Sequence, residues 1–287
     1  AESYGATMKV GYVPDIFGHI GQLPQILNGV GIDNALLWRG MVPPPPEKPT
    51  TEFTWQSPSG HSILGVFLST SGYFTAPHID NEAEIAPVLS ELAGKSAASQ
   101  LLLMNGADHH HVQADLPQRL AELNASLADY DLRISTLPDY LAALAAELTD
   151  RSALHAVTGE LRETRRSPEG LFLLYGTLSS RMPIKQANFL AQHRVERVVE
   201  PLAAATESSL RRDAADRGPT TETRPWLRRL WKTLLKNHAH DSICGCSVDE
   251  VVRDMEGRFR RFHQLAEMVE ADLLETATKP TRGRQED

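Results

Sequence analysis

Over roughly its first 150 residues the chain alternates short apolar runs with amphipathic ones. That rhythm restricts its fold more than any other feature. Val10 to Val13 reads as a strand, Gln22 to Gly29 as a short helix stopped by glycine, and Asn34 to Trp38 as a second strand. Glu52 to Gln56 and His61 to Ser69 alternate about Ser57-Pro-Ser-Gly60, a hairpin signal. A helix over Glu82 to Leu92 follows. Gln100 to Met104 is a continuous apolar run, as expected of a strand buried on both faces. Leu116 to Leu127 is a predicted helix, Leu132 to Ser135 a strand, and Leu137 to Leu148 a helix. Strands that alternate with helices imply parallel β/α units.

Near residue 180 the period changes. Ile184, Ala187, Ala191, Val195, Val198, Leu202 and Ala205 follow one helical stripe, with Pro201 inside it as a predicted kink. Trp226, Leu227, Leu230, Trp231, Leu234 and Leu235 mark a second helix. Ser247 and Glu250 make a capping-box start for a third, whose apolar face runs from Val251 to Leu273. The fold class read from these patterns is α/β followed by all-α: β/α units, then a three-helix bundle. The predicted domains are 1–178, 179–278 and a disordered charged tail over 279–287. Pro43 to Pro46 reads as a rigid loop, and Arg217 to Thr223 as a polar one.

Composition excludes some function classes. A net charge of −8 with no basic face argues against nucleic acid. No apolar run reaches membrane length and no signal-peptide pattern is present, so no membrane partner is expected. The two cysteines, Cys244 and Cys246, are one residue apart, a poor disulfide spacing that suggests a reducing, cytoplasmic setting. The opening, Ala1-Glu-Ser-Tyr, with a strong feature within fifteen residues, reads as a cut into a larger fold.

Asp15, Arg39, Tyr73 and Asp108 each fall just after a predicted strand. In a parallel α/β domain those ends share one face, so the four could converge. Two carboxylates with an arginine suit glycoside hydrolysis, where one acts as nucleophile or base and the other as acid. Blander readings exist for each: Asp15 as a turn cap, Arg39 as a structural ion pair, Tyr73 as packing. His109-His110-His111 resembles a metal cluster, yet adjacent side chains diverge, and loop placement is the simpler reading. His238 and His240, two apart at a helix end, cannot face the same way on a helix. One of them at most would reach a site.

Several stretches, taken together, resemble glycoside hydrolase family 38, the zinc-dependent retaining α-mannosidases. They are Val-Gly-Tyr-Val-Pro-Asp15-Ile-Phe-Gly-His-Ile-Gly-Gln-Leu-Pro-Gln-Ile-Leu, Trp-Arg39-Gly, Leu-Leu-Met-Asn-Gly-Ala-Asp108-His, Gly159-Glu-Leu-Arg162, Ser179-Ser-Arg181 and Asn-His-Ala-His240-Asp241-Ser-Ile-Cys-Gly-Cys. The bacterial branch with mannosylglycerate hydrolases is the nearer match. The resemblance runs from about residue 8 to 275. It implies that Asp15 is the nucleophile and a zinc ligand, His240 a second ligand, and Asp108 the acid/base. It also implies that Phe17, Arg39, Tyr73 and Asp241 bind the sugar. The implied architecture is a partial irregular β/α barrel with a three-helix bundle. The implied cofactor is Zn2+, and the substrate an α-mannoside or a mannosylglycerate-type small molecule. A homo-oligomer is compatible with this.

One departure matters. The family's early His-x-Asp zinc motif does not occur before Asp15, so the chain reads as a segment expected to be inactive by itself. Two other functions compete: a non-catalytic carbohydrate-binding relative, and a metal-dependent polysaccharide deacetylase. Survival of both carboxylates weighs against the first. The second pairs an acid with a histidine in a way that Asp15-Ile-Phe-Gly-His does not match.

Overall fold

The structure is a computed structural model that describes residues 5–41, 51–68, 72–164, 173–212 and 223–278. The predicted proline loop, the polar loop before Thr223 and the tail over 279–287 lie outside the described residues. The chain divides into two compact units, Ala1–Tyr175 and Gly176–Asp287.

The first unit holds a five-stranded mixed sheet. Its strands are β1 (Tyr12–Val13), β2 (Asn34–Leu37), β3 (Glu52–Gln56), β4 (Ser62–Phe67) and β5 (His155–Thr158), in the spatial order β1-β2-β4-β3-β5. β1, β2 and β4 run parallel, β3 is antiparallel to β4, and β5 is parallel to β3. The helices are α1 (Leu23–Gly29), α2 (Glu82–Lys95), α3 (Leu116–Ser126) and α4 (Leu137–Glu147). Side chains alternate across a strand, so β2 feeds two cores. Leu36 joins Val10, Leu64, Val66 and Leu144 on one face, while Ala35 and Leu37 join Phe53, Trp55, Ile63 and Leu161 on the other. Each of the larger aliphatic side chains contributes about 1.5–3 kcal/mol by leaving water.

Three expectations need correction. The first strand is shorter than Val10 to Val13, because the buried Asn34 side chain takes the adjoining backbone: its Oδ1 accepts from Gly11 N (3.1 Å) and its Nδ2 donates to Lys9 O (3.0 Å). Neither Gln100 to Met104 nor Leu132 to Ser135 forms a strand. They line a cleft of about 1040 Å³, and Arg133 reaches Gln100 there (3.2 Å). The apolar pattern is strand-like, but a ladder needs successive backbone pairs, and beside Gln100 to Met104 only the single contact of Ala76 with Met104 and Asn105 forms among the described residues. Conversely, β5 carries no strong sequence signal. It joins the sheet through its parallel ladder with β3, and just beyond it Trp55 Nε1 donates to Gly159 O (2.8 Å).

The second unit is a helical bundle made of α5 (Met182–Arg194), α6 (Glu200–Arg212), α7 (Arg224–Leu235), α8 (His240–Cys244) and α9 (Asp249–Thr278). Its core joins Ile184, Ala191, Val195 and Val199 to Leu230 and Leu234 and to the α9 stripe from Met255 to Leu273. Between α5 and α6 the backbone widens into a π-turn over Val195–Val199. Pro201 supplies the reason: it has no N–H to donate, and its ring would press on the carbonyl four residues back. The predicted kink is thus a local widening. Arg194 clamps α5 to α9 with paired bonds to Glu270 (both 2.7 Å), and Trp231 Nε1 donates to Glu200 (2.7 Å).

No described helix is long and apolar enough to cross a membrane.

Candidate active site

The site of the first unit is built on the loops that leave β1, β2 and β4 and on the turn beyond Met104. Pro14 and Asp15 follow β1 directly, and Arg39 lies two residues past β2. Arg39 Nε donates to Asp15 Oδ1 at 2.5 Å, a charge-assisted contact that fixes the carboxylate's orientation. The guanidinium lies over the indole of Trp38 (4.5 Å) and the ring of Phe17 (5.4 Å). Phe17 itself is buried. Two aromatic faces on one cation hold it in place without further charge.

Tyr73 sits in a short 3-10 turn, Gly72–Phe74. Its ring meets Trp38 edge-on (5.5 Å). Gly72 has φ +61, and a Cβ there would intrude on the Trp38 indole. Only glycine allows that approach. The Tyr73 hydroxyl contacts Asp15 Oδ2 (3.0 Å) and Asp108 Oδ2 (3.2 Å). Burial, then the hydrogen bond and charge of Asp15, push its phenol well above the ordinary range, so it keeps its proton.

Asp108 occupies the second position of a four-residue turn closed by His110 N to Ala107 O (3.2 Å). His109, third in the turn, has φ +62, a conformation that is strained for a residue with a Cβ. The turn is anchored from behind. Buried Gln113 accepts from Ile79 N (2.9 Å) and donates to Ile79 O (2.8 Å), while Asn105 Nδ2 donates to Ala76 O and Gln113 Oε1 (both 3.2 Å).

Three neighbours of this cluster were not singled out from the sequence. Tyr12, on β1, has its phenol raised by burial and then by the charges of Asp108 and Asp15, which places it in the field of both. Trp38 is the platform beneath Arg39, and its buried Nε1 has no hydrogen-bond partner among the described residues. His19 is 4% exposed and held to about pKa 4 by burial, against a hydrogen bond with the Arg39 backbone. Position alone offered a signal for Tyr12 and Trp38, since each lies just before a candidate residue. The segment after β5 buttresses the same loops: His19 and Leu161 exchange backbone bonds (both 3.0 Å), and Glu163 N donates to Gly40 O (3.1 Å).

In the second unit, His238 and His240 part company. His238 Nε2 meets Asn188 Oδ1 (2.7 Å) within the bundle, and burial lowers its pKa. His240 opens α8, with Nε2 3.7 Å from Asp241 Oδ2. The loop beyond folds back on Asp241: Cys246 and Ser247 N–H groups both reach Asp241 O (3.2 and 3.3 Å), and the Cys246 thiol donates to Asp241 Oδ1 (3.2 Å). Ser179 to Arg181 prop this loop. Ser180 Oγ donates to Gly245 O (3.2 Å), and Arg181 pairs with Asp249 (2.9 Å).

Residues 1–160 match the N-terminal domain of glycosyl hydrolases family 38, and residues 173–276 match the alpha mannosidase middle domain. The chain belongs to glycosyl hydrolase family 38. It is 34% identical over 275 residues to a putative mannosylglycerate hydrolase of Halalkalibacterium halodurans, covering 91% of this chain and 29% of that protein. Human alpha-mannosidase 2C1 is 24% identical, covering 88% of this chain and 22% of the relative. The crystal structure of an alpha-mannosidase from Enterococcus faecalis superposes with TM-score 0.81 at 33% identity, covering 97% of this chain and 30% of that one. The chain therefore spans three tenths or less of the length of these relatives. Both its α/β part and its helical part fall within the family fold.

A zinc ion, implied by the family resemblance, was tested against the side chains present. Among the described residues no three His, Cys, Asp or Glu side chains are grouped to hold a metal. The Asp15 oxygens are turned to Arg39 and Tyr73. Among the three adjacent histidines, His110 stacks on His78 (5.8 Å). The described residues thus do not assemble a zinc site by themselves.

Proposed function

We propose that the full-length protein hydrolyses α-mannosides with retention of anomeric configuration, Asp15 being the nucleophile and Asp108 the acid/base. The observation that carries this is the Tyr73 hydroxyl, which touches both carboxylates. Their Oδ2 atoms can be no farther apart than its two contacts laid end to end, 3.0 and 3.2 Å. That is near the roughly 5–5.5 Å of retaining enzymes and short of the roughly 6.5–9.5 Å that leaves room for an attacking water.

Tyr73, whose phenol keeps its proton, reaches both carboxylates and holds them in one hydrogen-bonded set. In the acid role, Asp108 gives a proton to the leaving glycosidic oxygen as Asp15 attacks the anomeric carbon and the C–O bond breaks. Asp108, now a carboxylate, then takes a proton from the water that frees the sugar from Asp15. Arg39 keeps the Asp15 carboxylate aimed. Phe17, Arg39, Tyr73 and Asp241 are assigned to sugar binding. A non-catalytic lectin-like relative would have no use for two carboxylates held in one hydrogen-bonded set.

The family resemblance supports zinc dependence of the full-length protein, with Asp15 and His240 among the ligands and the others outside the described residues. A cytoplasmic location is proposed on the two free cysteines. The putative mannosylglycerate hydrolase relative makes mannosylglycerate a substrate to try. The test is to assay the full-length protein on an aryl α-mannoside and follow the first product by NMR. Release of the α-anomer, loss of turnover by orders of magnitude in Asp15→Asn, and azide rescue of Asp108→Ala are expected. A β-anomer as first product, or near-normal Asp15→Asn, would refute the assignment. Residues 1–287 alone are expected to hold less than stoichiometric zinc and to show no turnover.

A further inference from the structure

The proton donor of a glycosidase faces the departing group, so the side chains beside Asp108 border the aglycone rather than the mannose. Two histidines are on the segments that carry Asp108 and its support. His110 closes the turn that presents Asp108, and His78 follows Tyr73 by five residues. Their rings stack at 5.8 Å with 27° between planes, and both are exposed.

This juxtaposition is built. Ala76 N donates to Met104 O (3.1 Å), and Asn105 and buried Gln113 tie Ala76 and Ile79 to the turn through four side-chain bonds. The segment carrying His78 and the turn carrying Asp108 and His110 therefore form one frame. The left-handed His109 inside it is backbone strain, which persists where surrounding structure holds it. The chain carries a net charge of −8. A negatively charged substrate would be repelled by such a protein as a whole, and would need local donors to be held. Each imidazole carries at least one ring N–H donor, and a carboxylate accepts from two donors at once. A neutral aglycone would leave those donors to water.

Resting on the mannosidase reading above, we propose that His78 and His110 form an aglycone subsite that selects α-mannosides whose leaving group carries a carboxylate. The probes are 2-O-α-mannosylglycerate and a neutral aryl α-mannoside, each assayed with the full-length protein. The quantity read is the ratio of kcat/KM on the first to kcat/KM on the second. Loss of one hydrogen bond to a charged group lowers this ratio about tenfold or more. His78→Ala and His110→Ala should each do so, and His110→Arg, which keeps an N–H donor at that position, should recover most of it. Free glycerate should inhibit the wild type competitively, and His110→Ala more weakly. An unchanged ratio in both alanine variants overturns the proposal. So does an equal fall on both substrates, which would make the pair a structural support. A wild type that cleaves the aryl mannoside and not mannosylglycerate overturns it as well. A wild type that cleaves neither instead overturns the mannosidase reading, and the subsite falls with it.

Discussion

Replacing Tyr73 with phenylalanine removes one oxygen and leaves the ring packed against Trp38 and Phe74 (5.5 and 4.2 Å between centroids). What is lost is a hydroxyl that touches both Asp15 and Asp108. Hydrogen bonds to charged groups contribute about 1.5–3 kcal/mol. At 1.36 kcal/mol per decade, that is roughly a 10- to 150-fold fall in turnover if the bond persists into the transition state. The two losses cannot add in full, because the hydroxyl has one proton to give. Leaving-group dependence separates them. A poor leaving group needs the proton of Asp108, so it should suffer more than a dinitrophenyl mannoside, which leaves without help. The fold should hold, since Asp15 keeps Arg39, and the unfolding midpoint should move by about 1 kcal/mol or less. The assay is kcat/KM on both substrates with the full-length protein, beside a denaturant curve. A change under about twofold on both substrates, in a folded variant, would refute the claim that this hydroxyl organises the carboxylates.

Three further outcomes are expected. Gly72→Ala puts a methyl group into the Trp38 indole at a left-handed position, so the first unit should lose about 1–3 kcal/mol, and an unchanged urea midpoint would contradict the close approach. His19 is held neutral, with its pKa lowered from 6.5 to about 4 by burial. The unfolded chain therefore binds more protons between those values, and the stability from this group is complete above about pH 6.5. About 3 kcal/mol of it should be lost as the pH falls to about 4, and His19→Gln should flatten that slope in denaturant titrations. His238→Ala should loosen the bundle by removing the contact with Asn188 while leaving zinc content of the full-length protein near normal. His240→Ala should instead strip zinc, and metal analysis of the two variants decides between them.

Much of the arrangement was legible because short-range rules govern it. The period of apolar residues located all the longer helices, and the turn at Ser57 to Gly60 located the β3–β4 hairpin. Asp15, Arg39, Tyr73 and Asp108 were legible because a residue just past a strand is also one on a shared face. The illegible parts depend on partners far along the chain. Leu101 to Leu103 have a strand's composition, yet pairing requires a neighbour that the sequence pattern cannot supply. Asn34 looks like an ordinary strand residue, and nothing local reveals that its amide binds Lys9 and Gly11. Trp38 reads as core. Its role as a platform for Arg39 follows only from Gly72 yielding room beside it.

The amide of Asn105 gives the site a chemical lifetime. It holds Ala76 O and Gln113 Oε1 through the same nitrogen, behind the turn that presents Asp108. The next residue is Gly106, with φ +112 and no side chain to hinder its own backbone nitrogen from attacking the Asn105 side chain. Ring closure and hydrolysis there would expel that nitrogen as ammonia and leave a carboxylate, an acceptor facing two other acceptors. An ageing preparation should then lose proton donation by Asp108 while its sheet and bundle remain folded. Peptide mapping for isoaspartate at position 105, set against residual activity over storage, would measure that decay, and constant activity despite full conversion would show the clamp to be dispensable.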